Sequence, residues 1–234
     1  MTSDIIWIAS FDIGKKNFAF YIEETNITAL LKLDNIPKTN RYNPDGTTTP
    51  SFGKLIKNIW TNGKTILFKN NDLTKNCNKK SYLDPETFHN MTDLLDKYKE
   101  YWDKCQVFII EEQMQFGSRC NTMALKLGQH CYSYFAFNYG RFKQIVEFHS
   151  YHKTQILGAQ KIQNITKKGK VSYKAIDKPA RKKWSIEKAT QILKDRNDYI
   201  TMESLTTKQK KDDLADVLCQ LQAFKYLAYI DKSI

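Results

Sequence analysis

The stretch Ile5-Ile6-Trp7-Ile8-Ala9-Ser10-Phe11-Asp12-Ile13 decides the fold, because it is a nearly continuous apolar run between polar residues. Such a run predicts a buried strand. Its one carboxylate, Asp12, stands near the end of that strand, where burial is costly unless the group is paired or binds a cation. A short turn leads to a second apolar run, Phe18-Ala19-Phe20-Tyr21-Ile22, so a hairpin is expected at this point of the chain.

Strands and helices alternate further along the chain. A third strand is predicted over 27–33 and a central strand over 107–110, whose unbroken apolar character is typical of parallel sheets. Another strand is predicted over 144–148. Helices are predicted over 85–103, 122–137, 179–194 and 207–230. This order predicts an α/β protein with a mixed five-stranded sheet flanked by helices.

Two polar regions, at about 35–83 and 159–179, are predicted as insertions in a single domain of 234 residues. Within the first, a short helix is predicted over 52–60 and a short strand over 65–68. The second belongs to a basic segment, 159–186, which holds nine Lys or Arg residues and one acid. This segment is expected to be exposed and mobile, either as a solvated loop or, as we favour, as an arm that contacts phosphates.

The composition narrows the class of protein. Lys and Arg number 37 against 25 Asp and Glu, so the formal charge is +12 and a polyanionic partner is expected. Nucleic acid is the leading candidate, and an acidic membrane surface is the weaker one. Apolar residues make up 41% of the chain, which excludes wholesale disorder. No apolar run approaches the roughly 18–20 residues of a membrane span, and no basic amphipathic anchor helix stands out, so no membrane partner is expected.

The cysteines and the N-terminal residues bear on the compartment. Five scattered cysteines without a C-x-x-C pair fit a reduced, intracellular setting. The first residues lack the features of a signal peptide or a transit peptide. The protein is therefore expected to act in the compartment where it is made.

Carboxylates on three predicted elements are candidates for one metal site. Glu111 ends the central strand with Glu112 beside it, and Asp213 and Asp216 lie one turn apart on the last helix, where they point to the same side. Together with Asp12, these acids would repel one another unless a cation bound there. Mg²⁺ is a hard, oxygen-seeking ion that fits such an arrangement, and two such ions can support phosphodiester cleavage. A nuclease is the leading hypothesis.

Several of these acids have alternative interpretations. Because strand neighbours face opposite ways, only one of Glu111 and Glu112 can face the metals. Asp212 is rotated about 100° from Asp213 on the helix, so it is expected to face elsewhere. Taken alone, Asp12 fits a turn-capping residue equally well, and Asp213 and Asp216 fit a solvated helix edge.

Four short motifs, in this order along the chain, resemble the RuvC-type Holliday junction resolvases. Within that group they resemble the resolvases of poxviruses and related large DNA viruses, and those of fungal mitochondria. The motifs are Phe11-Asp12-Ile13-Gly14, Ile110-Glu111-Glu112-Gln113, Ala124-Leu125-Lys126-Leu127-Gly128-Gln129 and Lys211-Asp212-Asp213-Leu214-Ala215-Asp216. The resemblance covers most of 5–33 and 85–230 and implies the RNase H-like (retroviral integrase) fold.

The resemblance also implies an activity. It implies a homodimer that cuts branched DNA, the four-way (Holliday) junction, by paired nicks with Mg²⁺, for which Mn²⁺ can substitute. The metal ligands that it implies are Asp12, Glu111, Asp213 and Asp216. The pattern I-E-x-Q favours Glu111, whereas the bacterial version of the motif would point at Glu112.

Further site residues follow from the resemblance. Lys153, in the motif Lys153-Thr154-Gln155-Ile156-Leu157-Gly158, would stabilise charge at the scissile phosphate; the alternative is a loop lysine in solvent. Phe116 would stack on a base at the junction centre or, equally, anchor its own loop in the core. A second basic position of the family, before the next helix, would be Lys182 or Lys183. The charge density of the basic segment adds Lys167, Lys168 and Lys170 as candidates for DNA contact. The helix over 122–137 packs at the dimer interface in the family, but its periodicity fits the core equally well.

Two alternative functions stay open. One is another RNase H-like nuclease, acting on RNA or duplex DNA, and the other is a non-catalytic DNA-binding protein that kept the fold. The presence of all four acids argues against the second. The expected location is the site of viral DNA replication in an infected cell, with the mitochondrial matrix as the alternative.

Overall fold

The computed structural model describes residues 4–78, 84–113, 121–165, 169–207 and 211–234. The strands in these ranges are Ile5–Asp12 (β1), Phe18–Asn26 (β2), Gly63–Asn71 (β3), Cys105–Glu112 (β4), Gln144–His149 (β5), Ile162–Ile165 (β6) and Val171–Lys174 (β7). The α-helices are Ile27–Leu31 (α1), Pro50–Thr61 (α2), Pro85–Lys97 (α3), Lys99–Trp102 (α4), Thr122–Tyr139 (α5), Tyr151–Ile156 (α6), Lys178–Asp195 (α7), Tyr199–Thr207 (α8) and Lys211–Lys225 (α9), and a π-helical turn over Tyr226–Asp231 follows α9. Over the same ranges, none of the helices combines the length and the apolar character that a membrane span requires.

The chain forms two compact units. The first combines the chain up to Thr25 with Lys64–Ser150, and the second combines Asn26–Gly63 with the chain from Tyr151 onward. The single domain with two insertions stays a prediction.

The first unit is built on a sheet which, in the described residues, has five strands in the order β3-β2-β1-β4-β5. β1 pairs in parallel with β4, with Phe11 beside Ile110, and β4 pairs in parallel with β5. β1 therefore lies in the interior of the sheet, which explains why its side chains are apolar on both faces. The predicted mixed five-stranded sheet flanked by helices is confirmed.

One face of this sheet carries an aromatic core. Phe11 and Phe108 face the same side, because side chains along a strand alternate, and both belong to a buried cluster with residues of α5. The rings of Phe108 and Phe135 are stacked with their centroids 4.0 Å apart. Leu127 of α5 is buried in the same cluster. Helix α5 thus supplies the core of its own chain, one of the two roles that its periodicity fits.

The third strand predicted over 27–33 is wrong, since Ile27–Leu31 form the short helix α1. The side chain of Asn26 accepts a hydrogen bond from the Ala29 amide at 2.9 Å and so caps the helix. Leu30 is the buried residue of α1. A short apolar run does not distinguish a strand from a buried helical turn. Here the cap that Asn26 provides favours the helix.

The remaining strand of the sheet comes instead from the polar region 35–83. β3 extends beyond the predicted 65–68 and runs along the edge of the sheet. The helix predicted over 52–60 is confirmed as α2. It starts earlier than predicted, because Thr49 caps it by accepting a hydrogen bond from the Phe52 amide at 3.3 Å and Pro50 takes the first helical position. This region therefore contributes regular elements to both units.

The second unit is centred on α9, which is buried over most of its length and packs against α6 and α7. The predicted helix over 179–194 is confirmed as α7, capped by Asp177, whose side chain accepts a hydrogen bond from the Ala180 amide at 2.9 Å. The sequence pattern does not predict helix α8, Tyr199–Thr207. The basic segment 159–186 holds the start of α7 and also an antiparallel pair, β6 and β7, which its polar composition does not predict.

Replacing Phe135 with alanine tests the core. The substitution removes the ring stacked on Phe108 and leaves a cavity, so the free energy of unfolding is expected to fall by about 3–5 kcal/mol in urea titrations. Phe137 is the matched control, because its side chain, two residues along the same helix, is 92% exposed. Phe137→Ala is expected to change the free energy of unfolding by less than about 0.5 kcal/mol. Equal losses in the two variants would contradict the packing described.

Candidate active site

Two carboxylates meet at the carboxyl ends of β1 and β4 in the first unit. β1 ends at Asp12, and the register that sets Phe11 beside Ile110 brings the next pair, Asp12 and Glu111, side by side. Neighbouring strands lie about 4.8 Å apart, and register partners in a parallel pair project from the same face of the sheet. Both side chains are half-buried. Asp12 and Glu111 therefore form a carboxylate pair on the face opposite the aromatic core.

Glu112 projects from the other face of β4. There its carboxylate contacts Nδ1 of His149, its register partner on β5. The two adjacent acids are thus separated by the sheet itself, and Glu111 is the one that shares a face with Asp12. Its role as a metal ligand stays a prediction.

The residues that follow each strand shape this end of the sheet. At Gly14 an added Cβ would lie 2.9 Å from the carbonyl oxygen of Asn17, so the turn after Asp12 leaves no space for a side chain. After β4, the side chain of Gln113 folds back, and its Nε2 donates to the carbonyl oxygen of Glu111 at 3.3 Å. These contacts give a physical role to the glycine and the glutamine of the two motifs.

A second carboxylate pair lies on α9 in the second unit. Asp213 and Asp216 are three residues apart, so they lie on the same side of the helix. The carboxylate of Asp216 is held by two groups: Ser185 Oγ of α7 donates to Oδ1, and Lys153 Nζ lies 2.9 Å from Oδ2. Oδ2 of Asp213 is buried.

Lys153 is a buried cation. Its side chain is 4% exposed on α6, and the ion pair with Asp216 offsets the cost of removing its charge from water. The alternative interpretation of Lys153 as a loop lysine in solvent is therefore wrong. Ser185 was not predicted, and no local signal in the sequence marks it, because its role depends on how α7 packs against α9.

Asp212 contacts a different group from Asp216. It forms an ion pair with Lys182 of α7, and the hydrogen bond from Lys182 to this carboxylate raises the pKa of the lysine above its ordinary value. Lys182 is thus a protonated amine at neutral pH. Asp212 and Asp216, four residues apart, both contact α7, and the predicted orientation of Asp212 away from Asp213 stays a prediction.

The other candidates for DNA contact are spread along the basic segment. Lys183 is exposed, and its Nζ lies 3.9 Å from Oε1 of Glu187, one turn along α7. Lys170 is exposed just before β7. Three candidates lie outside the described residues: Phe116, Lys167 and Lys168.

The donor groups suit a hard cation. Carboxylate oxygens are the ligands that Mg²⁺ prefers, and each oxygen of Asp216 can accept a further contact besides the one it makes. Across the described ranges, no three His, Cys, Asp or Glu side chains are grouped so as to hold a metal ion. Within each unit the acids thus occur as pairs.

Comparison with solved structures supports the fold. The chain is similar to Fowlpox virus resolvase, solved in complex with its substrate Holliday junction DNA. The TM-score is 0.51 and the sequence identity is 18%, over 95% of this chain and 99% of that chain. The resemblance to the resolvases and the RNase H-like fold that it implies are confirmed at the level of the fold. No family model matches the sequence.

Comparison with known sequences identifies relatives in iridescent viruses. Protein 97L of Invertebrate iridescent virus 3 is 29% identical, over 93% of this chain and 98% of the relative. Protein 170L of Invertebrate iridescent virus 6 is 37% identical, over 97% of this chain and 92% of the relative. The names of both relatives state no activity. The chain belongs to the same family as protein 170L of Invertebrate iridescent virus 6.

Proposed function

We propose that this protein is a structure-selective DNA endonuclease that resolves four-way junctions by paired, metal-dependent nicks. The observation that carries the proposal is the Asp12 and Glu111 pair, set by strand register on a fold similar to that of a junction-bound viral resolvase. Paired nicks require two copies of the site, so the functional form is a homodimer. Both relatives are viral proteins, which favours an infected cell over the mitochondrial matrix as the location.

The proposed cofactor is Mg²⁺, with Mn²⁺ able to substitute. Both carboxylate pairs, Asp12 with Glu111 and Asp213 with Asp216, are its proposed ligands, because they offer hard oxygen donors. When bound, such ions supply an activated water and stabilise the leaving oxygen in phosphodiester hydrolysis.

Lys153 is proposed to act at the scissile phosphate. The ion pair with Asp216 fixes the position of its amine on α6. A fixed cation of this kind stabilises the negative charge that develops on a phosphate during cleavage, without reorganising at the moment of reaction. Ser185 is a positioning residue, because it holds the other oxygen of Asp216.

The basic segment and Phe116 are proposed to bind the DNA. Phosphate contacts by lysines such as Lys170, Lys182 and Lys183 would supply affinity that does not depend on sequence, and the net charge of +12 would steer the protein to DNA. Lys167 and Lys168 belong to the same segment. Phe116 is proposed to stack on a base at the junction centre.

A cleavage assay on three substrates tests the proposal. The substrates are a mobile four-way junction, a matched linear duplex and an RNA–DNA hybrid, each with and without Mg²⁺, read on denaturing gels. Paired nicks are expected on the junction alone and only with the metal. Cleavage of the hybrid or the duplex would assign another nuclease activity. Binding without cleavage in both Mg²⁺ and Mn²⁺ would assign a non-catalytic DNA-binding protein.

Two neighbouring substitutions on α9 test the metal ligands. Asp213→Asn is expected to lower the rate of junction cleavage by more than about 100-fold, because loss of even an outer-shell partner of a metal typically costs 10–100-fold. Junction affinity is expected to be unchanged or higher, since a negative charge near phosphates is removed. Asp212→Asn is the control, and it is expected to keep cleavage. If Asp213→Asn cleaved the junction at the normal rate, Asp213 would not be a metal ligand.

The two glutamates of β4 provide a second matched pair. Glu111→Gln is expected to abolish cleavage while junction binding persists, because Glu111 shares a face with Asp12. Glu112→Gln changes the same chemical group on the opposite face, at the contact with His149, and is expected to cleave at a rate close to wild type. Single-turnover rates on the junction compare the variants. Loss of cleavage in Glu112→Gln but not in Glu111→Gln would make Glu112 the metal ligand.

A further inference from the structure

The antiparallel ribbon formed by β6 and β7 is a separate feature of the second unit. Its base is fastened to the turn at 43–47: the Lys161 amide donates to the Asp45 carbonyl oxygen at 2.6 Å, and Gln160 Nε2 donates to Asp45 Oδ2 at 3.1 Å. A two-stranded ribbon by itself is only marginally stable in water. These contacts therefore fix its base to a structured turn while its far end extends from it.

The two faces of the ribbon differ in character. The register sets Ile165 beside Val171 and Gln163 beside Tyr173, so these four side chains share one face. Ile165 is 68% exposed, Val171 47% and Tyr173 38%. Ile165 and Val171 form the last pair of the register, at the end of the ribbon away from Lys161. The apolar surface is thus concentrated at the outer end of the ribbon, on one face.

The opposite face is more polar. There Asn164 Nδ2 donates to Ser172 Oγ at 3.3 Å, and Ile162 stands beside Lys174. Ile162 is also exposed, at 55%, but it lines a cleft of about 420 Å³ between the ribbon and the start of α7, where Trp184 lies. Ile162 therefore belongs to the base of the ribbon and not to its outer end.

The charge of the ribbon limits what can cover its apolar face. Residues 159–176 contain five lysines and no acid. The same ribbon from a second copy would bring like charges together, which disfavours that pairing. DNA offers a polyanionic backbone and the apolar faces of its bases in one ligand, so it matches both properties of the ribbon.

We infer that the outer end of this ribbon, the face formed by Ile165, Val171 and Tyr173, packs against bases at the branch point of the DNA junction, while exposed lysines of the same segment, such as Lys170, contact phosphates. This inference rests on the proposed function. Apolar wedges on DNA-binding ribbons normally have to unstack a base step, which costs a few kcal/mol. In an open junction the base pairs at the branch point are stacked on one side only, so a wedge that binds this form meets base surface at a lower cost. The ribbon thus contributes selectivity for branched over linear DNA.

The selectivity of binding tests this role. The double variant Ile165→Thr with Val171→Thr removes apolar surface but keeps β-branched residues and the charge. Its affinity for the four-way junction is expected to fall by about tenfold, the order of effect seen on loss of one base-stacking side chain. Its affinity for a duplex of the same sequence is expected to stay unchanged, because phosphate contacts are intact. Fluorescence anisotropy on both DNAs, in Ca²⁺ to prevent cleavage, gives the ratio of dissociation constants.

A control variant and a second readout make the test specific. Ile162→Thr makes the same type of change on the opposite face and is expected to keep the wild-type ratio. With 2-aminopurine at the branch point, wild type and Ile162→Thr are expected to change the fluorescence, and the double variant is expected not to. Circular dichroism melting checks that all three proteins fold alike.

The outcomes separate this inference from the proposed function. If the wild type binds and cleaves junctions and the double variant keeps its selectivity and its fluorescence change, the inference is overturned alone. If Ile162→Thr loses selectivity to the same extent, the face assignment is overturned. If the wild type binds junction and duplex equally and cleaves neither, the proposed function fails and the inference fails with it.

Discussion

The parallel pairing of β1 with β4 is the constraint on which the candidate site depends. The register is set by the aromatic core, because Phe11 and Phe108 must lie on the face that α5 covers. Once they do, Asp12 and Glu111 have to project from the other face, since the side-chain period of a strand is two. A slip of one residue in either strand would separate the two carboxylates by the thickness of the sheet. The packing of the core thus fixes the geometry of the acids.

Much of this fold can be predicted from local signals in the sequence. The elements that were predicted wrongly or missed have identifiable physical causes. β1 and β4 are predictable because interior parallel strands are long apolar runs, and α3 and α7 because Asp-Pro and Asp-Lys-Pro mark their first turns. β3 is obscured because it is an edge strand whose side chains are mostly half-buried, so it needs few apolar residues. The run at 27–33 is too short for its periodicity to separate a strand from the helix that Asn26 caps.

The acids of the candidate site are visible in the sequence, whereas the side chains that surround them are not. The choice between Glu111 and Glu112 needs the register of β4 against its neighbours, which the sequence of one strand does not contain. The burial of Lys153 depends on Asp216, more than 60 residues away along the chain, and Ser185 is indistinguishable from any other small polar residue of α7. Contacts between distant segments decide these cases, and such contacts leave no periodic signal.

The group of Lys153, Asp216 and Ser185 is better explained by function than by stability. Moving an ammonium and a carboxylate out of water costs several kcal/mol for each ion, and the attraction between them regains this only with good geometry and further hydrogen bonds. Apolar side chains at the same positions would pack the contact of α6 and α7 with α9 without that cost. What an ion pair supplies and an apolar contact does not is a charged amine held in one place beside a carboxylate. A phosphate diester is a substrate for which such a fixed charge has a use, since its negative charge grows as it is cleaved.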